Sequence, residues 1–228
     1  MRSSRTIELA AVFILGAVLL PVAYADGQEN SLRGKLVQQI LACVKDKTCA
    51  SQHDQWELAT AVSRPGNIGL LINAYKRATN DQKPVIVIAL YSLRDPRVKV
   101  FMHDIAFNGL KPHEPDYDPQ WYPLQYLARE CDQQALARFS RPENIKESYP
   151  IGCMWWQDTV KAFGDCNYRP AIPYLIEALS TACLNIDGNA EEALKKFFPG
   201  ACENKKWPEA MQQCYREVAR KHGYKTFP

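Results

Sequence analysis

The chain lacks the short motifs that announce the commonest enzymes. There is no glycine-rich phosphate loop, no Gly-x-Ser-x-Gly elbow and no His-Glu-x-x-His pair. Phosphate cradles, exposed serine nucleophiles and helical zinc sites therefore leave no signature here. Basic residues are dispersed, with no run longer than Lys195-Lys196 and Lys205-Lys206. A nucleic-acid binder concentrates such residues in a stripe, so no nucleic-acid partner is expected. No Asn-x-Ser/Thr acceptor occurs, which gives N-glycosylation no support and leans toward a bacterial periplasm or medium. After residue 20 no apolar run is long enough to cross a bilayer, so no membrane span is expected in the mature chain.

What is present begins at the N-terminus. Arg2 and Arg5 precede an apolar run from Leu9 to Leu20, followed by Ala23-Tyr24-Ala25. A positive start, a short apolar centre and a small-x-small ending make a secretory signal, cut between Ala25 and Asp26. Residues 1–25 are then a signal peptide, and residues 26–228 one secreted or periplasmic domain with length enough for a large core. The formal charge of +3 falls to +2 when Arg2, Arg5 and Glu8 leave. All eight cysteines (Cys43, Cys49, Cys131, Cys153, Cys166, Cys183, Cys202 and Cys214) follow the cut. An even number in an exported chain reads as disulfides, which leaves no thiol for nucleophilic catalysis.

Four segments repeat the apolar spacing i, i+3, i+4, i+7 that a helix turns toward a core. They are Ile68/Leu71/Ile72/Tyr75, Val98/Phe101/Met102/Ile105, Ile172/Leu175/Ile176/Leu179 and Ala190/Ala193/Leu194/Phe197. The last is expected to start at Asn189, with Glu192 three residues on completing a capping box. Pro170 and Pro173 fit the first turn of the third helix, where an N–H is dispensable. The run Pro84–Leu90 is rich in β-branched residues and would pass for a buried strand. It reads as helix because the chain offers no strand to pair with it.

The joints carry a resemblance. Ala89-Leu90-Tyr91-Ser92-Leu93-Arg94-Asp95-Pro96-Arg97-Val98 and the stretch from Ala162 to Leu179 are similar to HEAT repeats of the short bacterial type. Arg94 replaces the usual glycine, and about three extra residues separate Asp165 from Arg169. The resemblance is close over 83–105 and 160–182 and weaker elsewhere. It implies an all-α solenoid of five helix pairs: 31–45 with 53–63, 67–78 with 81–93, 96–108 with 119–130, 132–140 with 151–163, and 169–181 with 189–198. Helix 207–222 would cap the array. Such pairs bury their apolar stripes only by stacking. The joint aspartates, Asp95 and Asp165, are expected to cap the helix that follows.

Eight cysteines allow 105 pairings, but laying them on that array brings particular ends together. It favours Cys43–Cys49, Cys131–Cys166, Cys153–Cys183 and Cys202–Cys214, a disulfide-stapled solenoid. In HEAT arrays the second helices line the concave surface, where exposed aromatics anchor partners. Trp155, Trp121 and Tyr122 are the partner-binding candidates on this ground, with packing between neighbouring pairs as the competing use of the same rings. Trp156 aligns with Val160 and Phe163 on the apolar stripe and reads as core.

Metal chemistry has one candidate region: His103 and His113 with Asp104, Glu114, Asp116 and Asp118. Adjacent helical residues such as His103 and Asp104 point about 100° apart and cannot chelate together. The acidic loop also lacks the glycine and final glutamate of a calcium loop. His53-Asp54 reads as a helix start. No catalytic residue, metal ligand or cofactor is assigned. The sequence therefore leads to an exported interaction module or scaffold with a protein partner. The alternative is an exported hydrolase or metal-dependent enzyme built from the 109–118 loop and the second-helix face. A lyase-like or chromophore-related role, known for some short HEAT repeats, fits an exported, disulfide-bonded chain badly.

Overall fold

A computed structural model describes residues 22–109, 121–141, 153–180, 186–205 and 208–226, with the backbone alone at 22–30, 47, 109 and 153–156. The fold is all-α. It is 75% helical, with twelve α-helices and no strand among the described residues. In chain order these are α1 (Val22–Lys45), α2 (Lys47–Ala50), α3 (Gln55–Val62), α4 (Ile68–Tyr75), α5 (Gln82–Tyr91) and α6 (Pro96–Asp104). There follow α7 (Trp121–Arg129), α8 (Gln133–Phe139), α9 (Cys153–Asp165), α10 (Ile172–Ala178), α11 (Ile186–Phe197) and α12 (Pro208–Lys221). Each expected helix is present, with ends that differ by a few residues. The exception is α1, which already begins at Val22 and so runs across the expected cleavage point. The short α2 has no counterpart in the sequence reading.

Aspartates open four of the described helices, α2 among them, where the Asp46 carboxylate accepts the N–H of Thr48 at 2.8 Å and of Cys49 at 3.3 Å. The Asp54 carboxylate accepts the N–H of Glu57 at 2.8 Å, and that of Asp95 accepts the N–H of Arg97 at 2.8 Å. Asp132 accepts from both Gln134 and Ala135 at 3.0 Å. Each satisfies amides that the first helical turn leaves without partners. Asp95 also receives the Arg97 side chain, and this bond together with the backbone one holds its carboxyl down at about 2.

Asp165 does not cap. It lies in the last turn of α9 and pairs instead with Lys161 and with Lys196 of α11, whose hydrogen bonds lower its pKa. The residues Cys166-Asn167-Tyr168 carry the next helix out of its reach. Asn189 does not cap either, because α11 starts three residues earlier, at Ile186. Its side chain donates to the Gln157 carbonyl at 3.2 Å and so ties α11 to α9.

Three helices end alike, α12 among them, where Gly223 (φ 82°) precedes Tyr224 N–H on Ala219 O at 2.9 Å. After α7, Cys131 takes a left-handed conformation (φ 56°), with Asp132 N–H donating to Leu127 O at 2.9 Å and Cys131 N–H to Ala128 O at 3.0 Å. After α9, Asn167 (φ 50°) does the same, with Tyr168 N–H on Phe163 O at 2.8 Å and Asn167 N–H on Gly164 O at 3.3 Å. All three are Schellman endings, which reverse the chain while satisfying the last carbonyls.

The helices touch in two series. α3, α5, α7, α9 and α11 contact one another in succession, and so do α1, α4 and α6, while α12 lies on α10. Chain neighbours α4 and α5, α6 and α7, α8 and α9, and α10 and α11 also pack together. α9 and α11 approach closely: a β-carbon at Gly164 would stand 2.8 Å from that of Ala193. The run expected to be helical at 84–90 is helix α5, buried from Pro84 to Tyr91. Gln82 opens it: its side-chain oxygen accepts the Thr79 N–H at 3.0 Å, and its amide donates to Leu41 O of α1 at 2.6 Å. Ile105 and Leu175 are buried and Ile72 is half-buried.

Three cysteine pairs stand at disulfide distance: Cys43–Cys49, Cys131–Cys166 and Cys202–Cys214. They are three of the four favoured on the array. The second joins the two Schellman endings of α7 and α9, and the third ties the turn after α11 to α12. The fourth, Cys153–Cys183, lies outside the described residues.

Candidate interaction surface

Helices α3, α5 and α7 carry a line of rings. Trp56 of α3 meets Tyr122 of α7 edge to face at 5.8 Å, although α5 packs between their helices. Tyr122 in turn meets Tyr91 of α5 at 5.8 Å, and Tyr91 meets Tyr126 of α7 at 6.5 Å, all edge to face. Such pairs set the negative face of one ring against the positive edge of the next, adding about 0.5–1.5 kcal/mol beyond area burial. The meeting of Trp56 with Tyr122 joins the two helices that flank α5, and α1, α3, α4, α6 and α7 all pack on that helix, which buries it around its circumference. A helix apolar on every side belongs in an interior.

Polar groups border the line. The Arg129 guanidinium, in the last turn of α7, sits 4.6 Å from the centre of the Tyr91 ring. The Tyr91 hydroxyl donates to Asp158 of α9 at 3.4 Å. Burial is the largest influence on Tyr91 and raises its pKa; Arg129 pulls it down and Asp158 up. Tyr126 is raised by burial as well, and its hydroxyl donates to the Leu93 carbonyl at 3.1 Å. That bond fastens α7 to the joint between α5 and α6. Lys99 donates to the Glu130 carbonyl at 3.2 Å from the other side of the same joint.

The three partner-binding candidates fare differently. Tyr122 is buried, so it forms floor rather than an exposed anchor. Trp121 is half-buried and stacks on Phe139 of α8 at 5.6 Å. Trp155 lies on α9 one turn before Asp158, and its side chain is outside the described residues, as is that of Trp156. Among the described residues the exposed aromatic on this row is Trp56, 43% accessible, which carries no signal in the repeat pattern. Tyr122, Tyr126 and Arg129 of α7 have the i, i+4, i+7 spacing of one helical face, a signal the sequence carries.

Of the metal candidates, His103 packs its ring on Phe107 at 4.8 Å, and Asp104 accepts from Asn108 at 3.4 Å. His113, Glu114, Asp116 and Asp118 lie outside the described residues. Among the described residues no three His, Cys, Asp or Glu side chains come together as a metal site. His53 pairs with Glu57, one turn into α3. Among the described residues no helix is long and apolar enough to cross a membrane.

No family model, curated protein or solved structure matches this chain.

Proposed function

We propose that the chain is an exported, disulfide-stapled HEAT-like solenoid that serves as a protein-interaction module or scaffold. The observation that carries the reading is the contact pattern. Helices α3, α5, α7, α9 and α11, each two from the next in order, touch in series, and α1, α4 and α6 touch in a second series. Stacked helix pairs pack in this way, each pair burying its stripe against the next. The cap at Asp95, the matched endings after α7 and α9 and the cystine joining them add support. Three cystines suit an oxidising compartment.

A solenoid presents a long surface assembled from many helices, and partner binding is the use such a surface favours. The functional half of the reading rests on fold-level analogy and on the aromatic row. The test is capture: mature chain as bait in an extract of the compartment it is exported to, with a brief cross-link. A defined protein is retained by the wild type and lost with Trp155→Ala, whose circular dichroism stays unchanged. Retention of nothing above a control bait contradicts the reading. So does a stoichiometric metal in elemental analysis, which turns the case toward the metal-dependent enzyme.

A further inference from the structure

We infer that the line from Trp56 to Arg129 receives an acidic segment of a protein partner, with Arg129 taking a carboxylate and Trp56 an apolar side chain. This rests on the interaction-module reading. Arg129 is half-buried and seated on the Tyr91 ring, and among the described residues no carboxylate forms an ion pair with it. Three other cations have acids: Arg216 is held by Glu177 at 2.8 Å, Arg97 by Asp95 at 2.9 Å and Lys196 by Asp165 at 2.9 Å, whereas Lys99 donates to a backbone carbonyl and Arg169 lies over the Phe197 ring. The negative end of α7 favours a cation at this position, and the guanidinium donates to the Tyr91 hydroxyl, but among the described residues no carboxylate meets the planar fork. A guanidinium held on a ring has little freedom left to lose, and its fork matches a carboxylate in two parallel bonds.

Spacing narrows the ligand. Ring to ring, Trp56–Tyr122 and Tyr122–Tyr91 are 5.8 Å each, and Tyr91 to Arg129 is 4.6 Å. An extended peptide advances about 3.3 Å per residue, so carboxylate and apolar side chain lie within about five residues of each other. Asp158 is exposed beside Tyr91 and opposes an acidic guest. Arg129 and Asp158 therefore carry opposite signs in binding, which a purely structural role for the pair would not produce.

The test uses the full mature chain and a fluorescent random Glu/Tyr copolymer, with a Lys/Tyr copolymer as control, read by anisotropy at low and high salt. Wild type binds the Glu/Tyr copolymer, more weakly at high salt. Arg129→Gln weakens binding about tenfold, as loss of a charge-assisted contact at a half-buried site does, and Arg129→Lys recovers part of it. Asp158→Asn strengthens binding severalfold. Equal binding by wild type and Arg129→Gln overturns the inference, as does equal affinity for the Lys/Tyr copolymer or weakened binding by Asp158→Asn. Should Arg129→Gln unfold, Asp158→Asn alone decides. Capture of a native partner that survives Arg129→Gln sinks this inference and leaves the interaction module standing.

Discussion

Leu175→Ala lowers the unfolding free energy by about 2–5 kcal/mol, the range for a fully buried leucine that leaves a cavity. Leu175 is buried on α10, which packs against both α11 and α12. Its removal loosens the last pair and the terminal helix together, because stacked helix pairs draw stability from their immediate neighbours. Denaturation by urea measures the loss. Val100→Ala serves as the control, since Val100 is 72% exposed on α6 and should stay within about 0.5 kcal/mol of wild type. An unchanged midpoint for Leu175→Ala contradicts the assigned core.

Removing the Cys131–Cys166 cystine has an effect of similar size. The bridge closes a span of 35 residues, and the loop-entropy relation gives about 4 kcal/mol for a closure of that length. Cys131→Ala with Cys166→Ala should therefore lower stability by several kcal/mol. Cys131→Gly with Cys166→Ala should lower it less. Cys131 holds a positive φ of 56°, a conformation that costs a side-chain-bearing residue about 1–2 kcal/mol and glycine little. A glycine variant no more stable than the alanine one contradicts the ending described for α7. Full stability in both double variants contradicts the stapling of α7 to α9.

Much of the helical framework was legible because its determinants are local. The spacing of Ile172, Leu175 and Ile176 marks a helix by itself, and Asp95 and Asp132 cap through amides two or three residues away. The second joint misled because capping depends on distance along the chain. Three added residues between Asp165 and Arg169 put the carboxylate inside α9, where Lys161 and Lys196 take it up. The start at Asn189 failed for a related reason: a capping-box pattern is also compatible with a helix interior when a neighbouring backbone, here Gln157, accepts the side chain.

The candidate surface was less legible, since it depends on which helices meet across a third. Nothing local says that Trp56 meets Tyr122 across α5, and this contact turns Tyr122 from an anchor into floor. The composition of Pro84–Leu90 did carry a hint. Apolar residues without helical spacing indicate a helix covered on all sides, which is how α5 is found.

Amide hydrogen exchange tests the central claim most directly, that α3, α5, α7, α9 and α11 pack in one continuous series with α5 at its interior. Amides of Val87–Leu90 in α5 and Tyr126–Ala128 in α7 should exchange only through global unfolding and be the slowest in the chain, while those of α2 exchange through local fraying. Exchange in α5 as rapid as in α2 would contradict it.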